Sequence, residues 1–372
     1  MPQHLSDAEP AAPTTAAPTS AAPTSAAPTT VPGLYKMWWS GLSACPQDYA
    51  KLEPGCTPTP PFEQCVCPHP GYAWPEWQPK QNVTTEWSLT YYAESVDGLS
   101  WDRPAVGQHP LPYSRSSNDV VTWAPGADMN RGVLFDELAR NGSERYKMIG
   151  SFANTSAGPP SAPVQTGLFA TSQSADGVHW DAPRPFSSEW QGFHGPPGRR
   201  VQLKRDSHHN MYFDVSRGRY YAYVRTVAPP ECRADPGCAW HRIGVASSAD
   251  FRNWTVPAEI LKGTHEGDNM TYAFVGWRQD DTHLAVAMIY NNVTGVVRCE
   301  LAASASPDEG WLLVQPGAPL IPSGPAGSFD EHICFAAAHP LWAPSSSAAA
   351  AAHRIYYAAA DGRHSSVRHN SI

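Results

Sequence analysis

The sequence predicts an all-β chain folded as a five-bladed β-propeller of four-stranded antiparallel blades, with the first and last blades incomplete. Three observations carry this prediction. A short turn motif recurs at blade-length spacing, each copy ends a run with the period-two alternation of a half-buried strand, and a second, often tyrosine-rich strand precedes each copy.

The turn is Ser95-Val96-Asp97-Gly98-Leu99-Ser100-Trp101. It recurs as Ser174-Ala175-Asp176-Gly177-Val178-His179-Trp180 and Ser248-Ala249-Asp250-Phe251-Arg252-Asn253-Trp254, with a shorter copy at Ser306-Pro307-Asp308-Glu309-Gly310-Trp311. Ser and Asp side chains accept from backbone N–H groups in tight turns, Gly takes positive φ, and Trp covers the gap between neighbouring blades. The motif is therefore read as structural. Successive motif tryptophans lie 79, 74 and 57 residues apart, which suits four-stranded blades with loop insertions. The strands leading into the turns read WSLTYYAE, TGLFATSQ, RIGVASS and VVRCELAAS. The strands before those read LYKMWWSG, RYKMIGSF, RYYAYVRT and HLAVAMIY, and a fifth, RIYYAAADG, lies near the C-terminus. The units fall at about 34–104, 118–185, 201–257, 266–315 and 328–372.

Composition removes several alternatives. Acids outnumber bases, 34 to 26, whereas a nucleic-acid binder needs a basic field. No apolar run approaches the roughly 18 to 20 residues that span a bilayer. Lys and Glu are scarce while Pro and aromatics are abundant, which excludes coiled coils. Residues 1–33 form a separate Ala/Pro/Thr-rich leader, disordered or stalk-like, because the stretch EPAAPTTAAPTSAAPTSAAPTTVP has no large apolar residue before Val31 to bury. Neither G-x-S-x-G nor G-x-x-x-x-G-K-[ST] occurs, which argues against serine-hydrolase and P-loop chemistry.

Two features indicate a secreted, extracellular or secretory-lumen protein. N-x-S/T sequons begin at Asn82, Asn141, Asn154, Asn253, Asn269 and Asn292, more than half of the asparagines. The cysteines number eight: Cys45, Cys56, Cys65 and Cys67 cluster, Cys232 and Cys238 bracket a short loop, and Cys299 and Cys334 stand apart. This pattern predicts disulfides of open connectivity rather than zinc ligands, since no C-x-x-C pair is present. A secretory signal with a basic region and an apolar core is not visible in the sequence, so the expected secretion implies a lost or misassigned N-terminus.

The ordered set YKMWWSG, YYAESVDGLSW, ERYKMIGSF, SADGVHWDAP, DVSRGRYYAYVR, SSADFRNWTVP, SFDEHICFAAAHPLW and RIYYAAADGRH resembles the five-bladed propeller glycosidases of the glycoside hydrolase family 32/43 superfamily. The turn also resembles the sialidase Asp box, which has one more residue between Asp and Gly. The glycosidase resemblance implies inner-strand carboxylates around the propeller axis, acting as nucleophile or base, transition-state stabiliser and general acid. Glycoside hydrolysis independently needs one protonated and one ionised carboxyl.

The candidates are Asp136, Asp206, Glu266, Asp268 and Asp330, each at an expected inner strand, with Asp136 at the position resembling the stabiliser. Asp214 is read as a turn cap. Substrate-contact candidates are Trp123, His208, His209, Glu331, His332 and His339. Adjacent histidines on a strand face opposite ways, so His208 and His209 do not both point into the funnel. The basic run Arg199, Arg200, Lys204 and Arg205 is read as a solvated loop, with anionic-polysaccharide recognition as its functional reading. No cofactor and no metal ligand set is expected, an axial structural cation being left open. The expected partner is a carbohydrate bound by a monomer. The chain is thus read as a glycoside hydrolase acting on an oligo- or polysaccharide. A non-catalytic glycan-binding or cell-surface propeller is the alternative.

Overall fold

A computed structural model describes residues 34–43, 57–59, 63–66, 87–106, 120–125, 131–152, 168–191, 202–204, 208–229, 232, 238–263, 269–343, 352–364 and 370–371. The expected leader, Cys45, Cys56 and Cys67 lie outside them. The strand-like runs of the sequence form strands in chain order. In the first unit β1 (Tyr35–Ser43) is followed by a small hairpin, β2 (Thr57–Thr59) and β3 (Glu63–Val66), and then by β4 (Trp87–Ser95), which pairs antiparallel with β1. The far edge of β4 is taken by β5 (Val120–Pro125). The second unit is a regular four-stranded sheet of β6 (Gly132–Phe135), β7 (Tyr146–Phe152), β8 (Leu168–Ser174) and β9 (Arg184–Pro185).

The third unit comprises β10 (Gln202–Leu203), β11 (Asn210–Asp214), β12 (Arg219–Val227), β13 (His241–Ser248) and β14 (Ala258–Leu261), with β10 and β11 both paired to β12. The fourth comprises β15 (Asn269–Gln279), β16 (Thr282–Asn291), β17 (Val297–Ser304), β18 (Leu312–Leu313) and β19 (Pro319–Ile321). The fifth comprises β20 (Ile333–Ala336), the hairpin β21 (Leu341–Ala343) and β22 (Ala352–Arg354), then β23 (Tyr357–Ala360) and β24 (Asn370–Ser371). The result is the expected five-bladed β-propeller.

Three details sharpen or correct the expectation. Val120–Pro125, assigned by sequence to the start of the second unit, is the outer strand of the first: Leu89 pairs with Trp123 and Thr90 with Thr122. A short apolar run does not announce its partner, and here the free edge of β4 takes it. The fourth and fifth units are fused, because a parallel bridge between Val297 and Ile333 joins β17 to β20. Cys299 and Cys334 form a disulfide beside that bridge, and Cys232 and Cys238 form a second.

The cores lie between blades, as the two-residue period of a strand requires. On β12, Tyr221 and Tyr223 face the fourth unit, packing with Phe274, Ala285 and Trp311. Their neighbours Tyr220, Ala222 and Val224 face the second, packing with Leu134, Ile149, Phe169 and Trp190. β12 is thus apolar on both faces over Tyr220–Val224.

The repeated turn explains how blades are held in order. Ser95 Oγ accepts from Gly98 N at 2.8 Å, and Asp97 Oδ1 accepts from Leu99 N and Ser100 N at 2.7 and 2.8 Å. Ser174 and Asp176 do the same for Gly177, Val178 and His179. The turn's carbonyls are satisfied by the preceding blade. Lys36 Nζ donates to Asp176 O at 2.6 Å and Trp38 Nε1 to Gly177 O at 2.8 Å. The last blade grips the first in the same way, with Arg354 Nη1 donating to Asp97 O at 2.7 Å and Tyr356 OH to Gly98 O at 2.6 Å. Tyr223 OH donates to Pro307 O at 3.1 Å, and the Lys147 ammonium sits 5.4 Å from the Phe251 ring. These contacts close the ring.

They also explain the glycine. Gly177 has φ +83°, and a Cβ there would lie 2.5 Å from the Trp38 ring. Gly177→Ala is expected to cost about 1–3 kcal/mol, read as a lower urea midpoint. Gly142→Ala, where a Cβ meets nothing within 4 Å, is expected to stay within about 0.5 kcal/mol. Equal midpoints for the two variants would contradict the grip.

Candidate functional site at the inner-strand entry face

Antiparallel order fixes two faces. Each first strand and each third strand ends on the face that carries the Ser-x-Asp turns, so the starts of β6, β11, β15 and β20 share the opposite, entry face. The starts converge closely. A Cβ on Gly132 would lie 2.1 Å from His209 O, so glycine there allows β6 and β11 to approach. Asn210 Nδ2 donates to Ala337 O at 3.5 Å, and the His208 ring stands edge-on to Phe335 at 5.1 Å, which brings the third and fifth units together.

Tyr272, at a bulge near the start of β15, is the hub of the cluster. Its ring lies 5.7 Å from Phe335, and the Arg225 guanidinium lies over it at 3.9 Å. Arg225 Nη2 is 2.8 Å from the His241 ring nitrogens, and Tyr272 OH is 2.7 Å from His364 Nε2. Tyr290 packs on both Tyr272 and His364. The arrangement combines aromatic faces for stacking with a planar cation and imidazoles for directed hydrogen bonds.

His208 keeps some contact with solvent yet is surrounded by protein, and this burial pushes its pKa down to about 4. His339, in the loop after β20, is likewise lowered by burial. Both imidazoles are therefore neutral near pH 7, able to donate and accept. His209 is buried, its ring edge-on to Phe169 at 4.7 Å.

The predicted carboxylates separate into three groups. Asp206, Glu266 and Asp268 lie outside the described residues, on the segments leading into β11 and β15. Asp136 follows the last residue of β6, about 13 Å of strand from its entry end. It is buried, 3.0 Å from Lys147 Nζ, hydrogen-bonded by Tyr220 OH, and its Oδ1 accepts from Leu138 N. That environment is a turn-face ion pair between the second and third blades, apart from the entry-face cluster.

Asp330 accepts from Ser328 Oγ at 2.7 Å and Tyr357 OH at 3.0 Å, and the Ser328 bond leads in holding its pKa below the usual carboxylate range. Glu331 accepts from Gly327 N at 2.8 Å and lies 3.5 Å from His332 Nδ1. All three organise the loop into β20, and the His332 backbone continues that strand. Trp123 lies on β5, and its side chain is outside the described residues. Asp214 caps its turn as expected, accepting from Ser216 N and Arg217 N.

No family model matches the chain, and no curated protein does. Solved structures with similarity include an N-acetylgalactosamine deacetylase from F. plautii in complex with blood group B trisaccharide. It is 15% identical over 74% of this chain and 76% of that one, with a TM-score of 0.46. An endo-arabinase from Bacteroides thetaiotaomicron is 14% identical over 77% and 88%, with a TM-score of 0.43. A thermostable family-43 glycoside hydrolase is 12% identical over 66% and 72%, with a TM-score of 0.39.

Sequence reasoning missed Arg225, His241, Tyr272, Tyr290 and His364. Their common signal is position: each sits near the entry end of a strand, which becomes readable once strand order within a blade is known. Among the described residues no group of three or more His, Cys, Asp or Glu is placed to hold a metal ion.

The lowered His208 pKa has a definite sign. The unfolded chain takes up this proton near pH 6.5 and the folded chain only near pH 4, so protonation favours unfolding between those values. Denaturant midpoints are expected to fall as pH drops from 6.5 to about 4, and to fall less in His208→Gln. Parallel profiles for the two proteins would contradict the burial of His208.

Proposed function

We propose that this protein binds an oligo- or polysaccharide on the entry face and hydrolyses a glycosidic bond there. The observation that carries the reading is the cluster around Tyr272. An aromatic face takes the C–H side of a sugar ring and the imidazoles meet its hydroxyls, with the buried Arg225 guanidinium holding Tyr272 and His241 in place. The same residues give an ordinary hydrophobic core little use for three imidazoles and a guanidinium.

Asp206 is the proposed ionised carboxylate, and Glu266 or Asp268 the proposed acid. One carboxyl held protonated assists departure of the leaving oxygen, and the other activates water or attacks directly. In the sequence all three precede β11 or β15, the strands whose first residues join the cluster. Asp136 is assigned to holding the junction between blades, since Lys147 and Tyr220 already occupy it.

A second reading has its own observation. Asp330 and Glu331, the described acids at the entry to β20, are used within their own loop. That favours a glycan-binding propeller without turnover.

Hydrolysis of a glycan panel separates the readings. Asp206→Asn is expected to lower kcat by about 10²–10⁴ with binding retained, and Tyr272→Ala to weaken binding itself. Asp136→Asn is expected to lower the denaturant midpoint while turnover per folded molecule stays within a few fold. Binding without sugar release by the unaltered protein would select the second reading, and no binding would reject both.

A further inference from the structure

We propose that Asn141 and Asn292 are N-glycan acceptors, and that Asn253, the third described sequon with a placed side chain, is not. Two structural observations meet here. The disulfides Cys232–Cys238 and Cys299–Cys334 belong to an oxidising compartment, where N-glycan transfer also takes place. The three sequons then differ in what their own atoms are doing.

Asn141 is exposed and opens the one-turn 3-10 helix Gly142–Glu144. Its Oδ1 accepts from Ser143 N at 3.1 Å, which fixes the exposed side chain through its oxygen and leaves the amide nitrogen out of that bond. The next residue, Gly142, has open space around it. Asn292 sits in the tight turn from β16 to β17, where Asn292, Val293 and Thr294 are all exposed. Thr294 N and Oγ1 both donate to Asn291 Oδ1, at 2.7 and 3.0 Å, so the turn is held by Asn291 and not by the nitrogen of Asn292.

Asn253 is exposed as well, but its own amide nitrogen is spent. Its Nδ2 donates to Asp250 Oδ2 at 2.7 Å, and Thr255 Oγ1 accepts from Ser247 N at 2.9 Å. A sugar on Nδ2 would stand between Asn253 and the Asp250 carboxylate that organises the third blade's turn. Neighbouring Arg252 is bonded to Glu144 of the second blade at 3.2 Å, so displacement there would strain the junction between blades. A chain glycosylated at Asn253 therefore competes poorly for the folded state. Of the two acceptors, Asn141 lies on the turn face, and Asn292 lies at the entry-face rim beside Tyr290.

The test uses the full chain behind a cleavable secretion signal in a glycosylating eukaryotic host, with retained and secreted protein both collected. Peptide-N-glycosidase treatment in ¹⁸O water followed by peptide mapping reads each site as Asn-to-Asp conversion. Labelled Asp at 141 and 292 with unmodified Asn at 253 is expected. Ser143→Ala removes the first sequon while keeping the Asn141 cap, and Asn292→Gln removes the second. Each is expected to subtract one glycan from the intact mass. Unmodified peptides at 141 and 292, or full occupancy at 253 in protein with its disulfides formed, would overturn the proposal.

Discussion

The fold depends on the shared solvation of a tight turn. Backbone N–H groups of the first two Ser-x-Asp turns are satisfied from within, by the Ser and Asp side chains, while their carbonyls accept from the preceding blade. A blade alone would leave the second half of that bonding to water. Amide N–H groups of Ser100 and Leu99 lower the Asp97 pKa to about 2, so its contribution is present above the ordinary carboxylate pKa and lost only as pH falls through that lower value. Lys36 pays for its place with desolvation, which lowers its pKa, and is compensated by carbonyl and aromatic contacts. Where Gly is replaced by Phe251, the backbone still adopts φ +62°, and the buried ring takes over contact with Lys147.

Repeating this grip from blade to blade brings distant parts of the chain together. Arg354 and Tyr356 reach back to the turn at Asp97 and Gly98, which sets the first and last units side by side. The junction between the fourth and fifth units uses another device, the Cys299–Cys334 disulfide and the Val297–Ile333 bridge. Inner strands then start on one face. Gly132, His208, Tyr272 and Phe335, spread over four units, become neighbours for that reason alone.

The turn motif and the strand runs were legible because both are local. Ser, Asp and Gly act within a few residues, and alternation is a property of one strand. What the sequence left open was relational. Val120–Pro125 reads equally well as the end of one blade or the start of the next, and only pairing with β4 decides it. An acid before an inner strand and an acid after it look alike in a string of letters, yet Asp136 lies a strand's length from the entry face, paired with Lys147. Cys299 and Cys334 show no adjacency in sequence that would pair them. Tyr272 was hidden for a different reason: among many tyrosines in strands, only the approach of Arg225, His241 and His364 sets it apart.

On the proposed reading, ring closure assembles a saccharide site at the start of the inner strands. A crystal structure of the full chain with a bound oligosaccharide tests it most directly. Sugar stacked on Tyr272, with the Asp206 carboxylate within hydrogen-bond reach of a glycosidic oxygen, is expected. Sugar bound on the turn face, or an open ring without contact between Tyr356 and Gly98, would contradict it.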